Sequence, residues 1–331
     1  GVLTPAEVDA LPHHMFRSDD TFGSNNWVVS GDHTASGKTI MCNDPHLGLR
    51  NPSVLTQVHL DTTAAGGDLS ASGVIFAGIP GVVLGTNGTI AWGATVFYSD
   101  VTDQYVELFS DDGKSVWFKD AWVPLTVRSE SFTFRKGDAG CETYPTAWVA
   151  ALPHTTTTNA DNTCTLVFEI EDVPHHGPLV PWTIGKGDDG KRYAHSWKWT
   201  GFQPTQEFVA FNGMMRAKTF DEFKKAADHF SVGAQNFVYA DTSGHIGWYP
   251  SHELPIRDDW KNTPPFLPLP GTGTSEWNGS VPRSELPQAY DPESGYLLTA
   301  NADPRGYSFD GDVLNDGEHY IGFMWDAGFR V

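Results

Sequence analysis

Short runs of β-branched and aromatic residues, separated by Gly, Asp and Asn, recur along this chain of 331 residues. Runs of this kind, with turn residues between them, are typical of β-strands. The strands predicted in this way span residues 26–30, 38–42, 74–76, 89–92, 116–118, 131–134, 165–170, 237–240 and 246–249. We therefore expect a mostly β chain with a mixed α/β, layered architecture.

Two segments predict helices. Thr219-Phe220-Asp221-Glu222 is a capping box, followed by Phe223, Ala226 and Phe230 on one helical face. Thr4-Pro5-Ala6-Glu7 is a second helix start, with Thr as the N-cap and Pro at the first position. Because the chain opens in a helix without an initiator Met, we interpret it as part of a longer, processed precursor.

The charge of the chain argues against nucleic acid as a partner. It has 41 acidic and 21 basic residues, a net charge of −20, whereas nucleic-acid binding needs a basic surface. We expect no membrane span either, since no apolar run approaches the ~20 residues required. The longest candidate, from Val74 to Leu84, is interrupted by Gly78, Pro80 and Gly81.

The chain contains three cysteines, and the sequence leaves open whether two of them form a disulfide. Cys141 and Cys164 bracket a polar segment, and they either form a disulfide in an oxidising compartment or remain free. Cys42 lies in an apolar run, where we expect a buried free thiol.

The segment from Phe22 to Val29 contains the dipeptide Gly23-Ser24. Gly23 gives the backbone freedom and leaves its own carbonyl open to attack by the Ser24 hydroxyl. That attack converts the amide to an ester, which water can cleave, so that Ser24 acquires a free α-amine. An α-amine has a pKa of about 7.7–8.0, which suits a general base at neutral pH. One residue then supplies both nucleophile and base.

Two further segments place polar residues in apolar surroundings. In Asn43-Asp44-Pro45-His46-Leu47, the proline would hold His46 in a rigid turn just after a strand. His46 either orients the nucleophile or is satisfied by local backbone. Asn236 precedes an apolar strand, where its amide can stabilise a developing oxyanion. Alternatively, Asn236 is an ordinary strand cap.

Taken together, these segments resemble the penicillin acylase family of N-terminal-nucleophile hydrolases. The resemblance covers nearly the whole chain in eight blocks: Gly23-Ser24-Asn25-Asn26-Trp27, Asn43-Asp44-Pro45-His46-Leu47, 85–95, His176-Gly177-Pro178, 235–241, Pro255-Ile256-Arg257, Pro270-Gly271-Thr272-Gly273 and Ser294-Gly295-Tyr296.

The resemblance assigns roles to five residues. It implies that Ser24 is the processed nucleophile, with its amine as base. The side chain of Asn236 and the backbone N–H of Val96 would form the oxyanion hole. Penicillin G acylases have Gln at the position of His46, and the cephalosporin and lactone acylases have His. Arg257 would position Asn236 and help to keep the amine neutral.

The family also implies a fold and a precursor. The fold would be an α/β (α+β), four-layer αββα N-terminal-nucleophile hydrolase fold, only partly covered by this chain. Residues 1–23 would be the end of the α segment or spacer before the processing site. Residues 24–331 would be the N-terminal half of the catalytic β segment. Partners would be the α segment and the remainder of the β segment. A chain still joined at Gly23–Ser24 would be inactive, because its nitrogen is acylated.

The resemblance also suggests a metal and an acyl pocket. Catalysis would need no cofactor, but several family members hold a structural calcium, for which Asp100 and Asp103 are the matching ligands. Alternatively, they belong to a solvated acidic loop. Leu47 and Leu84 stand where penicillin G acylases have Phe, which suggests an aliphatic acyl group.

We therefore expect a periplasmic or secreted amidohydrolase of linear, small-molecule N-acyl amides. One alternative is a non-catalytic, calcium-binding, β-rich secreted module, suggested by the excess of carboxylates. Another is a metallohydrolase, suggested by His13-His14 and His175-His176, although no HExxH spacing is present.

Overall fold

The computed structural model describes residues 23–48, 51–136, 140–141, 154–303, 312, 314–315 and 317–323. The chain divides into two compact units. Unit 1 comprises Gly1–Val101, Gln203–Ile256 and Gly279–Val331, and unit 2 comprises Thr102–Phe202 and Arg257–Asn278. The helix start predicted at Thr4 lies outside the described residues.

The described strands are β1 Gly23–Val29, β2 Ile40–His46, β3 Leu55–Asp61, β4 Ser70–Phe76, β5 Leu84–Thr86, β6 Ile90–Val96, β7 Thr102–Leu108, β8 Ser115–Phe118, β9 Ala121–Pro124, β10 Thr126–Arg135, β11 His154–Thr158, β12 Thr163–Val173, β13 Gly177–Lys186, β14 Arg192–Trp199, β15 Gln235–Asp241, β16 Ile246–Ser251, β17 Pro255–Arg257, β18 Leu269–Pro270, β19 Trp277–Ser280, β20 Ala289–Tyr290 and β21 Tyr296–Thr299. The described helices are α1 Glu207–Arg216 and α2 Phe220–Ala227, with 3-10 turns at Gly31–His33, Thr63–Ala65, Thr200–Phe202 and Arg283–Glu285.

Unit 1 is built in three layers. Its large sheet has the strand order β20-β16-β15-β6-β5-β4-β3. One face of that sheet packs against α1 and α2, where Phe237 and Tyr239 of β15 meet Phe223 and Met214 in one buried cluster. Phe237 and Tyr239 share this face because successive residues of a strand point to opposite faces.

The other face of the large sheet packs against a three-stranded sheet of order β2-β1-β21. Val238 and Ala240 of β15, Ile246 of β16 and Val28 of β1 form one buried apolar cluster there. The same alternation places Ser24 on the face of β1 that carries Val28. The nucleophile candidate therefore lies between two sheets.

Glycine permits a close approach between the two sheets. A Cβ atom at Gly93 of β6 would stand 2.5 Å from Oδ1 of Asn43 on β2.

Strand β2 is an edge strand, and Cys42 is an exposed free thiol. The expectation of a buried thiol was therefore wrong, since Cys42 alternates outward on a strand that has a partner on only one side.

The helix prediction from the capping box is confirmed. Thr219 accepts a hydrogen bond from the backbone of Glu222, and the Glu222 carboxylate accepts from the backbone of Lys218. The sequence did not predict α1, because its N-cap residue Gln206 makes no side-chain cap and the helix contains Gly213.

Unit 2 contains a second large sheet of order β10-β12-β13-β14-β7-β18, with β11 paired to β12. The Cys141–Cys164 disulfide forms beside it, with Cα atoms 5.6 Å apart. This settles the pairing that the sequence left open.

A buried charge cluster lies in unit 2. His176 donates from Nδ1 to Glu107 (2.6 Å) and from Nε2 to Glu276 (2.9 Å). Its ring stacks on Tyr105 with centroids 3.7 Å apart. Burial opposes the charged imidazolium, but the two carboxylates outweigh it and raise the pKa of His176. Burial alone would raise the pKa of Glu276, because it disfavours the carboxylate. His176 and Lys198 outweigh burial and lower this pKa to about 2.

All nine strands predicted from the sequence are present, and the α+β character is confirmed. The structure extends three of them at both ends and the other six at one end, and it adds strands such as β7 and β14. Two of the expected layers are the sheets of unit 1, and α1 and α2 form a third; a fourth is absent from the described part of that unit. No described helix is long and apolar enough to span a membrane.

We predict that Glu276→Gln destabilises unit 2 at pH 6 by about 2 kcal/mol, a typical value for a hydrogen bond to a charged group. Because the pKa of Glu276 is about 2 when folded and ordinarily 4.5, its contribution is present above pH 4.5 and is lost as the pH falls towards 2. Urea unfolding at pH 6, 4.5 and 3 should show a smaller loss on acidification in the variant. Exposed Glu293→Gln is the control, and equal acid losses in the two variants would contradict the prediction.

Candidate active site

Ser24 is a buried residue of β1, with 6% of its surface exposed. Its Oγ donates to the carbonyl of Gly23, at 2.6 Å. Its backbone N–H donates to Oδ1 of Asn301, at 2.7 Å. The hydroxyl therefore lies beside the carbonyl that the sequence predicts it to attack. Gly23 has a φ of 153°, which glycine adopts more easily than other residues.

A cavity of about 180 Å³ opens beside Ser24. Its lining is mainly apolar and comprises Ser24, Pro45, Leu47, Leu55, Phe76, Val83, Leu84, Ala94, Thr95, Val96, Phe211, Phe230, Gln235 and Phe237. The structure thus brings together four residues that the sequence singled out: Ser24, Leu47, Leu84 and Val96. A small apolar cavity next to a hydroxyl can hold a hydrophobic group at the point of attack.

Asn301, which the sequence reasoning missed, contacts Ser24 directly. It is fully buried; its Oδ1 accepts from Ser24, and its Nδ2 donates to the carbonyl of Val96 at 2.8 Å. The amide therefore connects the nucleophile to the predicted backbone donor. Its signal in the sequence is weak: a polar residue directly after the apolar strand β21, five residues beyond the block that ends at Tyr296.

Asn236 makes different contacts from those of Asn301. Its Nδ2 donates to Oγ1 of Thr95 (3.1 Å) and to the carbonyl of Val96 (3.4 Å), and its Oδ1 accepts from Trp248 (3.0 Å). No described hydrogen bond joins Asn236 to Ser24. The role of Asn236 as the side-chain donor of the oxyanion hole stays a prediction. Among the described hydrogen bonds, the asparagine that contacts Ser24 is Asn301.

His46 lies at the end of β2, where its backbone pairs with Gly23. Its ring is hydrogen-bonded to Asp44, with Nε2 and Oδ2 3.0 Å apart. The expected turn after a strand was wrong, because Asp44 and Pro45 belong to β2. The pairing of β2 with β1 is what places His46 beside the processing junction. The contact of its ring is with a carboxylate of its own strand.

Arg257 and Asp103 pair with each other in unit 2. Nε and Nη2 of Arg257 donate to the two carboxylate oxygens of Asp103, at 2.8 and 3.1 Å. The indole of Trp277 also donates to Asp103. Asp103 does not fit a calcium ligand in this arrangement, because both of its oxygens already accept hydrogen bonds. The expectation of calcium therefore rests on Asp100 alone.

A group of potential metal ligands in the described chain consists of Glu107, His175 and His176. Both ring nitrogens of His176 are already hydrogen-bonded to carboxylates. Burial, together with the charge of His176, lowers the pKa of His175 to about 4. The cluster is a buried ion pair within unit 2, and it does not favour the metallohydrolase alternative. His13 and His14 lie outside the described residues.

Comparison with known proteins decides the family. The sequence profile described as penicillin amidase matches residues 2–331. The chain belongs to the penicillin amidase family.

Several family members are similar to this chain. It is 29% identical over 288 residues to the acyl-homoserine lactone acylase QuiP of Pseudomonas aeruginosa, which covers 84% of this chain and 30% of that protein. It is 29% identical over 309 residues to the penicillin G acylase of Escherichia coli, covering 93% and 31% respectively. The chain thus spans less than a third of the length of these relatives.

A solved penicillin amidase structure confirms the fold. The chain matches a thermostable penicillin G acylase from Alcaligenes faecalis, in an orthorhombic crystal form, with a TM-score of 0.69 and 25% identity. The match covers 92% of this chain and 47% of that one. The predicted family and its α+β, N-terminal-nucleophile type of fold are therefore confirmed.

We predict that Asn301→Gly lowers the kcat for acyl-amide hydrolysis by roughly 10²-fold, because it releases the Ser24 nitrogen and a displacement of about 1 Å at a reacting group can cost that much. Glycine accommodates the φ of 64° at this position, so loss of the amide is separated from backbone strain. Asn212→Ala, on the exposed side of α1, is the control. Steady-state kinetics on the full-length protein measure both, and a variant within twofold of the unaltered protein would disprove the role.

Proposed function

We propose that this chain is the part of an N-acyl amide hydrolase that contains the nucleophile, and that the nucleophile is Ser24 after cleavage of the Gly23–Ser24 bond. One observation supports this most strongly. The Ser24 hydroxyl donates to the Gly23 carbonyl oxygen at 2.6 Å, while the Ser24 N–H is held by Asn301. The attacking group is thus a direct neighbour of the carbonyl to be attacked.

In the proposed processing step, Oγ of Ser24 bonds to the carbonyl carbon of Gly23, and the C–N bond breaks as the nitrogen takes the hydroxyl proton. The resulting ester is hydrolysed by water, which leaves a carboxylate on Gly23 and restores the hydroxyl. Ser24 then has a free amine. Before this step its nitrogen is an amide and cannot accept a proton, so the joined chain would be an inactive precursor.

In the proposed catalytic cycle, the Ser24 amine accepts the hydroxyl proton as Oγ attacks the substrate carbonyl. Oδ1 of Asn301 can accept an N–H from that amine, which turns the lone pair towards Oγ. The backbone N–H of Val96 and the Asn236 side chain would stabilise the oxyanion. The amine then returns the proton to the leaving amine, and water hydrolyses the acyl-enzyme by the same route.

For the acyl group we propose an aliphatic chain. Leu47 and Leu84 line the cavity beside Ser24, and its volume of about 180 Å³ is below the roughly 300–1,000 Å³ of pockets for drug-sized ligands. The size favours shorter chains within the hexanoyl-to-dodecanoyl range. A lactone acylase among the relatives agrees with this choice.

The remaining assignments are parts of the same proposal. His46 would orient the junction and later the free amine, because its backbone pairs with Gly23. Arg257 forms an ion pair with Asp103 within unit 2, and its role beside the amine stays part of the proposal. The disulfide Cys141–Cys164 supports a periplasmic or secreted location, since disulfides persist in oxidising compartments.

Ser24→Ala should abolish both processing and hydrolysis, since alanine has no nucleophile. Sequencing of the mature β chain of the unaltered protein should begin Ser24-Asn25-Asn26. Gel electrophoresis and a fluorogenic acyl-amide assay measure the two effects, with Ser30→Ala as a matched control on the residue after β1. Turnover by the Ser24→Ala protein would refute the mechanism.

A panel of amides from acetyl to dodecanoyl, together with phenylacetyl, should show the highest kcat/KM at hexanoyl or octanoyl. Leu84→Ala should shift the optimum towards longer chains, because it enlarges the cavity. A preference for phenylacetyl over every aliphatic amide would overturn the assignment of the acyl group without affecting that of the nucleophile.

A further inference from the structure

Between the two sheets of unit 1, polar side chains form a chain of hydrogen bonds that does not include Ser24 itself. The indole of Trp248 donates to Oδ1 of Asn236 (3.0 Å), and Nδ2 of Asn236 donates to Oγ1 of Thr95 (3.1 Å). Oγ1 of Thr95 and Oγ1 of Thr299 are 2.7 Å apart, and Thr299 donates to Oδ1 of Asn26 (2.7 Å). We call these five residues the interlayer chain.

The donors and acceptors of the interlayer chain follow from the indole at one end and from the orientation of the Asn26 amide at the other. An indole N–H can only donate, so it fixes the oxygen of the Asn236 amide. The Thr299 proton goes to Asn26, so the Thr95 hydroxyl must donate to Thr299. Thr95 in turn accepts from Asn236. A chain with all roles assigned in one direction favours a single arrangement of its members.

The interlayer chain runs next to each residue of the proposed site. Asn26 is two residues after Ser24, on the same face of β1. Thr95 immediately precedes Val96, and Thr299 is two residues before Asn301. Asn26, Thr95 and Asn236 are nearly fully buried, so water competes little for these bonds.

We propose that the interlayer chain sets the spacing between the strand ends that hold Ser24, Val96 and Asn301, and that Thr299 is a positioning residue. Its hydroxyl acts through Thr95, which immediately precedes Val96. This role rests on the proposed function. A displacement of about 1 Å at a reacting group can lower a rate 10²-fold, so hydroxyls that do not touch the substrate can affect kcat.

Thr299→Val is the sharpest test, because it removes one hydroxyl at nearly constant volume and Thr299 does not line the cavity. Thr86→Val is the matched control. Thr86 donates to the Ile90 carbonyl (2.7 Å) and accepts from Gly88, at the opposite end of β6. Both variants lose a hydroxyl with two hydrogen bonds, that of the half-buried Thr299 or that of the exposed Thr86, but only one interrupts the interlayer chain.

We expect Thr299→Val in the processed full-length protein to lower kcat about tenfold with KM within twofold, a change of ~1.4 kcal/mol in the barrier. Thr299→Ser should restore kcat to within threefold. Thr86→Val should leave kcat unchanged even if its melting temperature falls equally. The double variant Thr95→Val/Thr299→Val should lose no more than the larger single loss, because residues of one network are not additive.

Trp248→Phe covers the case in which Thr299→Val does not fold. It removes the N–H that fixes Asn236 and keeps an aromatic ring at this position, and it should lower kcat about threefold with KM unchanged. Equal kcat values for the Thr299 or Trp248 variant and Thr86→Val would overturn the proposal, as would a loss seen only in KM. If Ser24→Ala is inactive in the same experiments, such a result refutes the interlayer chain alone. If Ser24→Ala stays active, the proposed function itself fails.

Discussion

The hydrogen bond from the Ser24 nitrogen to Asn301 is the contact on which the rest of the site depends. It joins β1 to the residue that follows closely after β21, and the other end of the same amide holds the Val96 carbonyl at the end of β6. Three strand ends from two sheets are therefore tied to one buried side chain. Loss of that amide would release all three, and a nucleophile that must act as its own base tolerates little such freedom.

The space between the two sheets of unit 1 changes character along its length. At one end Val28, Val238 and Ile246 form an apolar cluster, which holds the layers together without directional constraint. At the other end, near Ser24, the layers meet through amides and hydroxyls. Burial of such groups is unfavourable unless they are hydrogen-bonded. The apolar cluster holds the two sheets together, and the hydrogen bonds of the polar end fix the relative positions of the strands.

Much of this fold follows from local sequence patterns. The nine predicted strands and α2 exist because alternation and a capping box are short-range signals. Helix α1 lacks a side-chain cap, and strands such as β7 are defined mainly by their neighbours, so sequence alone did not show them. The division into two units also depends on contacts between residues distant in sequence, which no local pattern encodes.

Prediction of the candidate site from the sequence also stops at contacts between residues that are distant along the chain. Gly23-Ser24 and the cavity residues Leu47, Leu84 and Val96 could be predicted from motifs, but the contact of Asn301 with Ser24 could not. Asn236 lies in one of the sequence blocks that match the family, whereas Asn301 has only a weak local signal. Only the pairing of β1 with β21, between residues more than 260 positions apart, brings Asn301 to the Ser24 nitrogen. Asn236 contacts Thr95 and the Val96 carbonyl.

The most direct test of the central claim is peptide mass spectrometry of the full-length protein after inactivation by a sulfonyl fluoride. The account predicts a peptide that begins at Ser24, has a free amine and bears the sulfonyl group on its own hydroxyl. A peptide that still contains the Gly23–Ser24 bond in fully active protein would contradict it, as would a label on any other residue.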